Sequence, residues 1–438
     1  MHEQAGEQFR ARGMRRWTDL GARAIHAERR ELKAVLLSFA YFFCLLSSYY
    51  ILRPLREEMG VAGGVQKLPW LFTGTFVAML AAVPAFSALA ARLPRHRFIP
   101  LSYRFFSFNI LVFWALFASG RFQVGAARAF FIWTSVYNLF VVSVFWSFMV
   151  DIFRHDQGKR LFGFIAAGGS AGALAGPLFT TLLAKPLGTT NLLLVSAVLL
   201  EATVRFVRAL HRWSVSSGLL SAQAANVQER ALGGDFLSGI RVVFQSRFLL
   251  GICAYLLLFT TTTTFLYFEQ AQIVLHASAD PRVRTALFAR IDLVVNVLTL
   301  VLQAFVTGWL IRAAGVRTAL SILPLLTAAG FVVLAGAPTL LVLTLLQGVR
   351  RATHFAVERP AREILFIGVD REQKYKSKNF IDTVVYRGGD AVSAWIASGL
   401  QALGFGLIPA AAAAVLLSGV WLWNSLVLAR REEAAEAA

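Results

Sequence analysis

Charge is scarce in this chain, and acid is scarcer than base. Charged residues fill 15% of 438 positions, against about a quarter in an ordinary soluble protein. The 24 Asp and Glu face 43 Lys and Arg, a net charge of +19. Cysteine is nearly absent: Cys44 and Cys253 both fall inside apolar runs, which excludes a disulfide framework. No His/Cys cluster with metal-ligand spacing occurs. No G-x-x-x-x-G-K-[ST] occurs either. Gly158–Lys159 lacks the upstream glycine and the following Ser/Thr, so a phosphate-cradling ATPase loop is excluded. No cofactor and no enzymatic chemistry are expected.

What fills the chain is apolar: 57% hydrophobic residues, with 37 Phe. Runs of about 20 such residues can cross a hydrocarbon core of about 30 Å. They recur twelve times, near 34–54, 69–91, 98–119, 125–152, 161–184, 190–210, 248–273, 285–311, 317–336, 338–358, 379–402 and 406–429. The longest polar gap, 211–247, divides them six and six. The expectation is an all-α polytopic membrane protein. It comprises a basic segment 1–33, a six-helix bundle 34–210, a linker 211–247, a second bundle 248–429 and a tail 430–438. The first apolar run is too long for a cleaved signal and no A-x-A follows it. Within the basic segment Trp17, Leu20 and Ala24 share a face among Arg15, Arg16, Arg23 and Arg29, the pattern of an interfacial helix on anionic lipid.

The basic residues set the orientation. With the N-terminus inside, the inside segments hold thirty Lys/Arg and the outside loops seven, namely Arg53, Arg56, Lys67, Arg121, Lys185, Arg282 and Arg284. That asymmetry puts both termini in the cytoplasm and explains most of the +19 without a nucleic acid. Six cations remain within expected spans: Arg104, Arg128, Arg290, Arg350, Arg351 and Arg387. A desolvated arginine needs an anion, from the protein or from a cargo.

Several polar groups recur at helical spacing. Gly168, Gly172 and Gly176 lie four apart, either for close helix packing or as part of an exchange motif. Gln347, Arg350, Arg351, His354 and Glu358 form one stripe, with Arg snorkelling as the alternative reading. Asp382, Tyr386 and Asp390 are spaced by four, with Arg387 beside them. Asp292 and Asn296 share a face. Thr260 to Thr264 precede Tyr267, Glu269, Gln270 and Gln272. Glu201 and Arg205, four apart, are expected to pair. Tyr49, Tyr50, Trp133, Tyr137 and Tyr267 offer faces for a base, although Tyr and Trp also mark membrane interfaces.

Two stretches carry family resemblances. Gly308, Leu310, Gly315 and Arg317 match the loop motif G-x-L-x-D-R-x-G-R-R of the major facilitator superfamily, with Arg312 where that motif has Asp. Residues 87–99 hold a degraded copy. The resemblance implies two similar six-helix halves. Gly172 and Gly176–Pro177 resemble the same superfamily's antiporter motif, departing from it at Leu178 to Thr181.

The densest charge lies at Arg359–Asp390, with twelve charged residues in thirty-two positions. Pro360, Arg362, Glu363, Phe366, Ile367, Asp370, Glu372, Lys374, Lys376, Lys378, Ile381 and Asp382 match, without a gap, a pattern of the ATP:ADP antiporters of plastids and intracellular bacteria. Ile51, Leu52, Arg53, Arg56 and Glu57 match a second pattern, with Arg56 at a substrate-critical lysine. Phe145 to Phe148 and Glu269 are similar to further family positions. Arg387 falls near another family lysine, with a gap. The family glutamate of the fourth span has no counterpart in 125–150, and two family lysines are arginines here.

The resemblance implies a divergent bacterial relative in the cytoplasmic (inner) membrane. It would act as a monomer, exchanging a small anionic solute, nucleotides first, by alternating access. Arg53, Arg56, Tyr137, Glu269, Arg350, Arg351, Arg387 and Asp390 are the expected substrate residues. Glu201, Asp292 and Asp382 are expected to serve coupling or charge balance. Two other readings stay open: a proton-coupled facilitator exporting other small molecules, and a membrane anchor or sensor without flux. Counted from Ala34, Arg53 and Arg56 lie about 28–33 Å along the first span, at its outer end, where a gate is the alternative to a binding site.

Overall fold

The computed structural model describes residues 28–92, 95–120, 123–153, 155–216, 236–366, 373, 377, 378 and 380–436. The expected interfacial helix, most of the 211–247 linker and much of the lysine-rich run before Asp382 lie outside these residues.

Among the described residues the regular structure is helical, with no strand. The first six helices are α1 (Arg29–Ala62), α2 (Leu68–Arg92), α3 (Arg95–Ala118), α4 (Gln123–Ile152), α5 (His155–Leu187) and α6 (Leu192–Ser216). After a short α7 (Phe236–Gln245) come α8 (Arg247–Ala277), α9 (Pro281–Val301) and α10 (Gly308–Gly336). The last four are α11 (Leu340–Thr353), α12 (Arg359–Ile364), α13 (Tyr386–Ala402) and α14 (Leu407–Glu436). Three π-helical segments, Leu302–Thr307, His354–Glu358 and Ile381–Val385, interrupt the second half.

Local chemistry starts these helices. In α1 the Glu28 N–H donates to Glu31 Oε2 at 2.9 Å, one arm of a capping box. Asp280 caps α9 by accepting from the Arg282 N–H at 2.8 Å, with Pro281 at the first helical position. Ser246 and Thr339 cap α8 and α11 in the same way. Gly315 breaks α10 internally at φ +73°, a conformation that favours glycine. That turn lies inside the facilitator-like loop motif.

Among the described residues eight helical stretches are long and apolar enough to cross a membrane. One of them, Pro281–Gly336, holds both α9 and α10. The runs expected at 190–210, 338–358 and 379–402 are not among the eight. They carry Glu201 and Arg205, Arg350 and Arg351, and Arg387 and Asp390.

Packing repeats between the halves. Helix α1 packs on α5 and α6 as α8 packs on α13 and α14. Helix α3 packs on α6 as α10 packs on α14, and α2 on α4 as α9 on α11. The halves meet where α5 and α1 face α9, and where α2 faces α13. Within the first half the glycine stripe brings α5 close to α1. A Cβ on Gly168 or Gly172 would stand 2.5 or 2.4 Å from the carbonyl oxygens of Phe39 or Phe43 in α1. Close helix packing is therefore what the stripe does. One apolar cluster fills each half. A third joins Val61, Leu68, Leu71 and Phe131 to Phe265, Leu266, Leu334 and Ala414, sealing the halves at the end distal to Glu28.

Candidate functional site

Asp292 of α9 sits on the seam between the halves with two arginines around it. Arg351 of α11 brings Nη2 to 2.9 Å from Asp292 Oδ1. Arg53 of α1, from the other half, brings Nε to 3.6 Å from Oδ2. The Arg53 guanidinium also lies 5.8 Å from the Tyr50 ring centre, one turn earlier. Neither the Asp292 Oδ2 atom nor Arg351 Nη2 has a well-aligned hydrogen bond, although both are buried. The cluster is one carboxylate for two guanidiniums, a net positive point on the seam. Four residues along the same face of α9, the Asn296 amide donates to the Ala173 carbonyl of α5 at 2.6 Å.

The end of the first helix differs from the expectation. The first span was expected to end at residue 54, yet α1 continues to Ala62. Arg53 thus lies about 14 Å before the end of its helix, and Asp292 and Arg351 about 17 Å into theirs, at 1.5 Å per residue.

Helix geometry separates the neighbours Arg350 and Arg351 by about 100°. Arg351 faces the seam, while Arg350 turns into the second half and is 1% exposed. Its Nε donates to Thr327 Oγ1 at 3.0 Å, and Nη2 to Thr262 and Thr263 Oγ1 at 3.2 and 2.8 Å. Each hydroxyl gives its own proton to a backbone carbonyl one turn back: Leu323, Leu258 and Phe259. The hydroxyl lone pairs are thereby aimed at the cation. The threonine run has a physical purpose here that its spacing did not announce.

The other expected residues are dispersed. Arg56 pairs with Glu57 at 2.8 Å, reaches Ser135 Oγ at 3.1 Å and lies 3.8 Å above the Phe131 ring. Tyr137 stacks on Trp133 with centroids 5.2 Å apart and meets the Ser48 hydroxyl at 3.1 Å. Arg387 and Asp390 pair within α13 at 3.5 Å. Asp382 lies exposed in the π segment before that helix. Glu269 borders a cleft among Phe265, Phe268, Leu400 and Phe405 and forms none of the ion pairs among the described residues. Glu201 does not pair with Arg205. It meets Arg104 of α3 at 3.4 Å, because helix α3 packs along that face of α6 and brings a nearer cation.

Two further charged groupings stand apart from these, the first without a signature in the sequence and the second on the stripe of His354 and Glu358. Glu58 of α1 and Arg284 of α9 form a two-pronged pair at 2.8 and 2.6 Å across the halves. In the π segment after α11, His354 Nδ1 lies 2.7 Å from Glu358, and Arg362 3.8 Å from the same carboxylate. All three are buried. The letters Gly168-Gly169-Ser170-Ala171-Gly172 spell G-x-S-x-G, but they lie inside continuous helix α5. A nucleophile elbow needs a strand-to-helix turn.

No protein family and no curated protein matches the chain. Solved structures match it nearly end to end. The nucleoside transporter NupG has a TM-score of 0.63 at 12% identity, covering 94% of this chain and 100% of that one. A POT family transporter in complex with 5-aminolevulinic acid has 0.63 at 10% identity, covering 92% and 96%. A peptide transporter POT in complex with sulfate has 0.60 at 14% identity, covering 91% and 95%. The chain has the all-helical major facilitator fold of a multi-pass membrane protein.

Proposed function

We propose that the protein is a secondary transporter that moves a small anionic solute by alternating access, with nucleotide exchange as the leading assignment. The observation that carries the reading is Asp292 held between Arg53 and Arg351, cations contributed by opposite halves. The carboxylate stands where a cargo anion would bind. A phosphate with several acceptor oxygens would replace it on both guanidiniums and leave Asp292 to the other side of the cycle. The ends of the seam support the same reading. The described side-chain bonds between halves run from Asn296–Ala173 to Glu58–Arg284 and Trp395–Thr73, on the middle and the distal side.

The nucleotide assignment rests on the motif residues from Pro360 to Asp382 and from Ile51 to Glu57, and on Tyr50 and Tyr49 beside Arg53 as faces for a base. The two bundles 34–210 and 248–429 would be the rocking units. The test is uptake of labelled ATP into proteoliposomes preloaded with ADP. Exchange above protein-free liposomes supports the assignment, and its loss in Arg351→Ala ties it to the seam. No exchange by folded protein overturns the nucleotide cargo.

A second reading has its own observation. The buried His354–Glu358–Arg362 grouping joins titratable groups within a helix that also carries Arg351, as a proton-coupled carrier would need. Flux driven by an imposed pH gradient, and abolished in Glu358→Gln, would favour it over exchange.

A further inference from the structure

The outer seam of α3 and α6 carries charge that the proposed transport cycle does not use. These helices pack chiefly on each other and, in α6, on α1. Their far faces are exposed. On α6 the residues Glu201, Arg205, Arg208 and Arg212 follow one another at spacings of four and three, forming one stripe. The single acid of the stripe is occupied by Arg104. Arg205, Arg208 and Arg212 form none of the ion pairs among the described residues.

At the end of α6 a cavity of about 440 Å³ is bounded by Pro100 of α3 and by Val207, Arg208, His211 and Arg212. The exposed side chains of Leu101, Phe105 and Phe108 continue away from it along α3. Cationic groups thus stand at one end of an apolar track, with an open cavity between.

We infer that this seam binds an anionic phospholipid, with its phosphate on Arg208 and Arg212 and its acyl chains along Leu101, Phe105 and Phe108. Charge and shape agree on that occupant. Unneutralised arginines beside a bilayer attract anionic headgroups, and a soluble phosphate would leave the apolar track without a partner. The site belongs to the first half and shares no residue with the Arg53–Asp292–Arg351 cluster, so it can be tested apart from the cargo.

Native mass spectrometry of the full-length protein tests it, with phosphatidylglycerol and phosphatidylcholine of equal chain length titrated separately. The expected result is a clear preference for phosphatidylglycerol. Each arginine near the surface is worth about fivefold, so Arg208→Gln/Arg212→Gln lowers phosphatidylglycerol affinity roughly 25-fold while Arg312→Gln/Arg317→Gln leaves it unchanged. Equal affinity for the two lipids in the wild-type protein overturns the site and needs no variant. So does an unchanged affinity in the paired α6 variant. Displacement of phosphatidylglycerol by equimolar glycerol 3-phosphate would make this a soluble-phosphate site instead. Should the paired variant lose its folded monomer peak, Arg212→Gln alone decides, with about fivefold loss expected.

Discussion

Arg284 grips Glu58 with two nitrogens, Nε at 2.8 Å and Nη2 at 2.6 Å, across 226 positions of chain. The same guanidinium donates through Nη1 to the carbonyls of Ser278 and Ala279, each at 3.1 Å. The side chains are 7% and 2% exposed, so the pair is buried, and losing one partner strands the other. That costs about 3–5 kcal/mol, and here the cost falls on the arrangement that is closed distally. Glu58→Gln is expected to shift the protein toward distal opening. Spin labels at Lys67→Cys and Ser278→Cys, in a background without Cys44 and Cys253, should move apart. An unchanged distance distribution would remove the latch role. The exchange Glu58→Arg/Arg284→Glu should bring the labels back together.

On the proposed function, Asp292 should affect binding and turnover in opposite directions. Removing its charge in Asp292→Asn leaves Arg53 and Arg351 unneutralised on the seam, so a cargo anion no longer competes with an internal one. The expected outcome is tighter equilibrium binding of the anion with slower exchange. Arg351→Ala acts oppositely, losing a charge-assisted contact of about 1.5–3 kcal/mol, a roughly 10- to 150-fold weaker Kd. Filter binding and proteoliposome flux on the same preparations separate the two effects. Weaker binding in Asp292→Asn would contradict the competition.

Much of the fold was legible because helices of about 20 apolar residues announce themselves, and the glycine stripe announces its own packing. The end of α1 was not. Arg53, Arg56, Glu57 and Glu58 read as a loop, yet the helix runs through them to Ala62. Their charges are matched by Asp292, by each other and by Arg284, none of which local sequence reveals. The same limit misplaced Arg284 among outside loop cations. Spacing by four paired Glu201 with Arg205, but an interhelical neighbour, Arg104, took it. Of the expected substrate residues, Arg53 and Arg351 converge with Asp292, whereas Arg350 and Glu269 face elsewhere. Periodicity placed them on helices without fixing which neighbour each face would meet.

Arg350 is a buried cation whose hydrogen bonds go to threonine hydroxyls. Thr263→Val removes an acceptor at 2.8 Å and should cost about 1.5–3 kcal/mol, the range for a bond to a charged group. In an Arg350→Met background the same change should cost little, because the hydroxyl then has no cation to solvate. A double-mutant cycle on thermal unfolding measures the coupling. Additive effects would mean that the threonines do not hold the arginine.

Gly172 and Gly163 lie on the same helix and should respond oppositely to alanine. At Gly172 a Cβ meets the Phe43 carbonyl at 2.4 Å and the Ser47 nitrogen at 3.0 Å, both of them α1 backbone atoms that cannot rotate aside. Helices α1 and α5 must separate to admit it, and overpacking of this kind costs about 1–3 kcal/mol. At Gly163 nothing lies within 4 Å of the new methyl, so alanine is expected to add up to about 1 kcal/mol through helix propensity alone. Thermal unfolding of the two variants in one detergent checks the contrast. Equal melting temperatures would show that the approach of α5 to α1 is looser than 2.4 Å implies.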